Sequence, residues 1–370
     1  MSSIIVNGKT LLSYALSACE TMMRTYTPQN LPPAGMFYYH QGVFLSGLYE
    51  TYKLTGEEIL FSYLKAWVDV NVNEYGDIQE FNPGQLDYLQ PGVLLFPLYE
   101  RTHDARYKSA MDTILWFYEH FPKNTLGGFW HNAMGRDQMW LDGLYMAGPY
   151  LAQYAKTFDR PDLMDVVTLQ AVLMERLTHD ANTGLWFHAV DLQKRHAWAD
   201  PKTGCSPEFW GRAMGWVPVA LLNEMDFLDG KHRDTLARIT RDLLMALIPY
   251  QDEATGLWYQ VVDKGNQPGN WLETSCSCLY AAGLCKAIRL GVLPPTALPV
   301  AEKAVRGILN RLEFDGDDLL LKDISEGTWI GDYDFYCNRK RCVNDLHGIG
   351  AFLIMCAEAE LLMNSSSDTQ

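Results

Sequence analysis

Gly127-Gly-Phe-Trp-His131, Thr183-Gly-Leu-Trp-Phe-His188 and Thr255-Gly-Leu-Trp-Tyr-Gln260 are three copies of one short pattern. Each reads as a glycine turn followed by a brief aromatic strand. Each falls after an amphipathic stretch and before a more apolar one. Working outward from them, six amphipathic stretches lie at about 11–26, 57–73, 105–121, 161–179, 233–248 and 296–312. Within 234–247 the apolar residues recur at helical spacing. Alternating with these are six stretches rich in Gly, Ala, Leu and Tyr, at 42–53, 92–101, 143–156, 215–228, 278–290 and 348–363. Their starts stand 50 to 72 residues apart, the kind of period that marks a repeat architecture. The second set is apolar all round and is predicted to be the more buried. Twelve helices in six hairpins close most simply into a ring, because closure covers every hairpin's apolar face. The predicted fold is therefore all-α: an (α/α)6 barrel forming a single domain over 1–370, with an open helical solenoid as the alternative. In such a ring the inner-helix starts gather at one end, and the loops before them make a cleft.

Composition narrows the function. The 370 residues are 48% hydrophobic, 20% charged and 12% aromatic, which excludes a disordered or collagen-like chain. The formal charge of −15 repels phosphate backbones, so nucleic acid is not an expected partner. An acidic substrate needs a locally cationic pocket. No run of consecutive apolar residues reaches the length of a membrane span, so no membrane partner is expected. The first residues lack a basic region followed by a long apolar core, so no secretory signal is expected. The eight cysteines are irregularly spaced, which favours reduced thiols and a cytoplasmic protein. Cys276-Ser-Cys278 has no second Cys or His pair at zinc spacing. No metal and no cofactor are expected, since phosphate loops and dinucleotide fingerprints are also missing.

The polar residues just before the inner helices are the candidates for chemistry. Asp87, in Gln85-Leu-Asp87, and Asp142, in Trp140-Leu-Asp142-Gly, sit at loop-to-helix junctions, where an N-cap role is the ordinary reading. Both lie among apolar and aromatic neighbours. Such surroundings raise a carboxyl pKa, so the expectation is that Asp142 holds a proton near neutral pH and delivers it. Two carboxylates across a sugar are the usual equipment of glycoside chemistry. Trp140, Trp210 and Trp216 read either as core or as a platform for the C–H faces of sugar rings. Arg212, framed by Trp210 and Trp216, has the planar fork that grips a carboxylate. His131 and His188 end two of the repeated aromatic turns, and His40 and His347 precede the first and last inner helices.

With these residues in place, the chain resembles glycoside hydrolase family 105, the unsaturated rhamnogalacturonyl hydrolases, relatives of the unsaturated glucuronyl hydrolases of family 88. The resemblance is carried by Gln138-Met-Trp-Leu-Asp142-Gly-Leu-Tyr-Met, Trp210-Gly-Arg-Ala-Met-Gly-Trp216 and Asn344-Asp-Leu-His-Gly-Ile-Gly350, and it extends over essentially the whole chain. Ala213-Met214 departs from the Gly-Asn found in many relatives. The resemblance implies a metal-free barrel that binds a small oligosaccharide with a 4,5-unsaturated galacturonic acid at its non-reducing end. The enzyme hydrates the C4=C5 vinyl ether, and the hemiketal then releases the next sugar. It further implies Asp142 as general acid and base, Asp87 as the second carboxylate, and His40, His131, Trp140, His188, Trp210, Arg212 and Trp216 as substrate contacts. The alternatives are a glucuronyl hydrolase acting on glycosaminoglycan disaccharides and a catalytically silent sugar-binding barrel.

Overall fold

The protein is described by a computed structural model covering residues 4–82 and 84–365. Among the described residues thirteen α-helices follow one another: α1 (Leu11–Thr25), α2 (Tyr39–Thr55), α3 (Glu58–Asn71), α4 (Leu95–Thr102), α5 (Ala105–His120), α6 (Asp142–Thr157), α7 (Asp162–Thr178), α8 (Gly211–Glu224), α9 (Gly230–Leu247), α10 (Thr274–Arg289), α11 (Leu298–Leu309), α12 (Tyr333–Cys337) and α13 (Leu346–Ser365). The inner helices close on themselves. α2 packs on α13, α13 on α10, α10 on α8, α8 on α6, α6 on the 3₁₀ turn Gln90–Leu94 that leads into α4, and that turn on α2. Helices α1, α3, α5, α7, α9 and α11 lie outside them, each against an inner partner. The fold is the (α/α)6 toroid expected from the repeat.

The two rings differ because their sequences do. In α9, Leu236, Ile239, Leu243, Leu244 and Leu247 form one buried stripe at helical spacing, while the other face is charged. Burying each such leucine contributes about 1.5–3 kcal/mol. Inner helices α8 and α10 are buried on almost every residue. Helix α13 is long and apolar enough to cross a membrane by length and composition, but its apolar window is 89% buried within the ring.

Inner helices other than α4 begin up to four residues earlier than the sequence pattern predicts, and several carry glycines where neighbours pack closely. Gly42, Gly215 and Gly348 mark places where another chain segment comes close. A Cβ on Gly215 would stand 2.9 Å from Leu279, and one on Gly348 2.6 Å from Ile324. The same holds at the ring seam, where a Cβ on Gly350 would lie 2.5 Å from the Val43 carbonyl. The stretch 92–101 also departs from expectation. Pro91 lacks a main-chain N–H, and the chain runs as 3₁₀ before α4 starts at Leu95.

The three aromatic turns form as expected. Gly127, Gly184 and Gly256 take φ of 87°, 75° and 78°, a region open to glycine. Asn124, Asp180 and Asp252 cap these turns with their side-chain oxygens. The short strands that follow tie the mouth loops together.

Candidate active site

Two short connections assemble the site. Strand Gln138–Trp140 pairs antiparallel with Ala189–Asp191, and the Leu141 amide donates to the His188 carbonyl at 3.0 Å. This register sets His188 beside Asp142, the first residue of α6. The Leu86 amide donates to the His131 carbonyl at 3.1 Å, and Gln85 bridges to Asn132. That contact brings Asp87, in the 3₁₀ turn Leu86–Tyr88, to His131.

The two carboxyls have opposite environments. Asp142 Oδ2 lies 3.1 Å from His188 Nε2, and His188 Nδ1 lies 2.7 Å from the Tyr336 hydroxyl. The Gly331 amide donates to that same hydroxyl at 3.2 Å. With Asp142 ionised, Nε2–H donates to the carboxylate and Nδ1 accepts the Tyr336 O–H, which fixes the imidazole tautomer. Burial works to raise the Asp142 pKa, but the His188 hydrogen bond and the His188 and His131 rings outweigh it, so Asp142 is held below the usual range. Its place at the start of α6 also favours the anion. Asp87 is pushed up to about 7, first by burial and then by the charge of Asp142. Tyr38 O–H and Gln85 Nε2–H donate to its Oδ2 at 3.2 and 2.8 Å, and His131 Nε2 stands 3.5 Å from Oδ1. The expectation that Asp142 carries the raised pKa is therefore not met: of the two acids, it is Asp87 whose pKa is raised. Local apolar sequence around Asp142 did not reveal the His188–Tyr336 chain, which arrives from other hairpins.

Aromatic rings surround both acids. His131 stacks on Trp140 with centroids 4.1 Å apart and planes 7° apart. Trp140 meets His188 edge-on at 5.4 Å, and Trp210 lies 4.7 Å from His188 and stacks on Tyr336. A cavity of about 520 Å³ opens over Trp140 and Gln85, with Asn132, Trp198 and Trp329 among its walls. Trp329 is 60% exposed and stands edge-on over Trp140 at 5.7 Å.

Not every candidate comes to this cluster in the expected way. The Arg212 guanidinium packs on Trp210 at 4.6 Å, as the sequence reading anticipated. Its Nη1 and Nη2, however, donate to the Ser325 and Glu326 carbonyls at 2.5 and 2.7 Å, so the fork is engaged by main chain. Trp216, one turn further along α8, is buried against Tyr145 within the ring of helices. His40 pairs with Asp345 and His347 and reaches the acids only through Tyr38, whose ring lies 5.5 Å from it and whose hydroxyl donates to Asp87. Tyr38, Tyr336, Trp198 and Trp329 were not singled out from sequence. Tyr336 and Trp329 belong to the 313–345 segment between α11 and α13, which lies outside the repeat.

The site is thus a pair of carboxyls, one buried and one nearly so, with indoles beside them at the mouth of a ring of six helical hairpins. The sequence model for Glycosyl Hydrolase Family 88 matches residues 14–363. The family 105 glycoside hydrolase of C. acetobutylicum ATCC 824 superposes with a TM-score of 0.89 at 30% identity, covering 94% of this chain and 99% of that one. Protein Atu3128 of Agrobacterium fabrum is 34% identical over 233 residues, 59% of this chain and 99% of its own length. The unsaturated rhamnogalacturonyl hydrolase YesR of Bacillus subtilis is 26% identical over 297 residues, 78% of this chain and 79% of its own. The chain belongs to the family 88 and 105 glycoside hydrolases.

Proposed function

We propose that the protein releases 4,5-unsaturated galacturonic acid from the non-reducing end of unsaturated rhamnogalacturonan fragments, with 1–370 acting as one catalytic unit. The observation that supports this reading best is the split pair of carboxyls: Asp142 held low by His188 and Asp87 raised to about 7. One proton shared between two buried acids suits a reaction that must first give a proton to carbon and then take one from water.

Substrate brings its own carboxylate into the site and displaces water, and both effects raise the Asp142 pKa. The proton held by the pair moves to Asp142 and is delivered to C4 of the alkene. Positive charge then develops at C5 and on the ring oxygen, where the remaining carboxylate stabilises it. Water adds to C5 and loses its proton to Asp142. The C5 hemiketal opens and expels the neighbouring sugar, so the glycosidic bond breaks without attack at the anomeric carbon. Trp329 and the cavity side of Trp140 offer faces for the sugar rings, while Trp210, fully buried between Tyr336 and Arg212, supports them from behind. Arg212 acts as a fixed positive charge for the uronate rather than as a free fork. The eight unpaired thiols support a cytoplasmic setting.

The test follows loss of alkene ultraviolet absorbance with unsaturated rhamnogalacturonan and unsaturated chondroitin disaccharides. Decay with the first and not the second is expected. Decay with only the second replaces this reading by the glucuronyl hydrolase. Asp142→Asn should fold normally and lose about 10²–10⁴-fold in kcat, and near-wild-type turnover would remove its assigned role.

A further inference from the structure

At the seam of the ring, His40 on α2, Asp345 just before α13 and His347 in its first turn converge from positions about three hundred residues apart in sequence. Their nearest ligand-type atoms all lie within 4.8 Å of one another. His347 is fully buried, and its Nε2 faces the Ser325 carbonyl at 3.0 Å. A carbonyl only accepts, so Nε2 carries a proton, and the other ring nitrogen, Nδ1, faces Asp345. That nitrogen stands 2.8 Å from Asp345 Oδ1, yet both atoms are buried without a hydrogen-bond partner. A positive centre between these two atoms, a proton or a metal ion, satisfies both. His40 Nδ1 lies 4.0 Å from the same carboxylate oxygen.

We propose that His40, Asp345 and His347 form a binding site for a zinc-type divalent ion that staples the first inner helix to the last. Two imidazoles and one carboxylate match the ligand set of such ions, with a fourth position left for water. Bonds of about 2.0 Å at tetrahedral angles place ligand atoms about 3.3 Å apart. The separations of 2.8 and 4.0 Å bracket that value. The Ser325 carbonyl supplies the outer partner that orients a ligating histidine. A cavity of about 380 Å³ lined by His40, Asn344 and Asp345 gives the entry path. Arg212 adds a repulsive charge nearby, but its guanidinium is turned to main-chain carbonyls. The site was invisible in sequence because Asp345-x-His347 is too short a signal without His40. Joining α2 to α13 closes the longest loop in the fold, where a crosslink restricts the unfolded chain most.

The test uses the full chain, stripped with a chelator and titrated with Co²⁺ and Zn²⁺. One equivalent of Co²⁺ should give visible ligand-field bands without a thiolate charge-transfer band, and Zn²⁺ should raise the melting temperature. Asp345→Asn and His40→Gln, checked for folding by circular dichroism, should each weaken binding at least about tenfold, the loss that removing even an outer-shell partner brings. The absence of bands and of a melting shift leaves a plain His347–Asp345 ion pair and overturns the proposal. Thiolate-type bands, or binding unchanged in both variants, place the ion elsewhere and overturn it equally.

Discussion

Replacing Asp87 by Asn should make the protein more stable while crippling it, and the gain should depend on pH. In the folded chain Asp87 has a pKa of about 7 against an ordinary value of 3.8. Below the ordinary value the carboxyl is protonated folded and unfolded, and it contributes no pH dependence. Between the two values the unfolded chain ionises while the folded one holds its proton, so stability falls as pH rises. Above about 7 both states are ionised and the penalty is complete. The shift of about three pH units corresponds to about 4 kcal/mol at 1.36 kcal/mol per unit, a ceiling that relaxation of the site lowers. An asparagine keeps the shape, and its oxygen can still accept from Tyr38 and Gln85. Urea denaturation of wild type and Asp87→Asn from pH 4 to 8 checks this. The stability difference should be near zero at pH 4, grow in favour of the variant by up to about 1.4 kcal/mol per pH unit, and level off above pH 7. Turnover of the unsaturated disaccharide should fall in the same variant, because the pair no longer shares a proton. A difference that stays flat across the range, or a variant less stable than wild type at pH 7.5, would refute the buried-acid reasoning.

Two further substitutions probe other parts of the argument. Tyr336→Phe removes the donor at His188 Nδ1, so the tautomer that holds Asp142 low is no longer fixed. The limb of the kcat/KM–pH profile that reports ionised Asp142 should move to higher pH, with kcat down about tenfold; an unmoved limb would separate Tyr336 from the site. Gly350→Ala forces a methyl to 2.5 Å from the Val43 carbonyl at the α2–α13 seam. Backbone there cannot yield as a side chain can, so thermal melting should show a loss of about 1–3 kcal/mol or more.

The repeated glycine–aromatic turns and the alternation of amphipathic and apolar stretches pointed to the toroid, because a hairpin with two buried faces has few ways to cover them; closure rather than an open solenoid is seen in the packing of α2 on α13. The block around Trp140 and Asp142 and the Gln85-Leu-Asp87 turn likewise pointed to two acids at helix starts. Which acid holds the proton was decided only by tertiary structure. A carboxyl's affinity for its proton depends on every charge and dipole within a few ångströms. At Asp142 those come from His131 and from His188, the latter held by Tyr336, a residue 194 positions after Asp142 on an insertion outside the repeat. The same reason hid the engagement of Arg212 by residues 325 and 326 and the meeting of His40 with Asp345 and His347. Periodicity encodes which face is buried, whereas electrostatics and ligation depend on partners that only ring closure brings together.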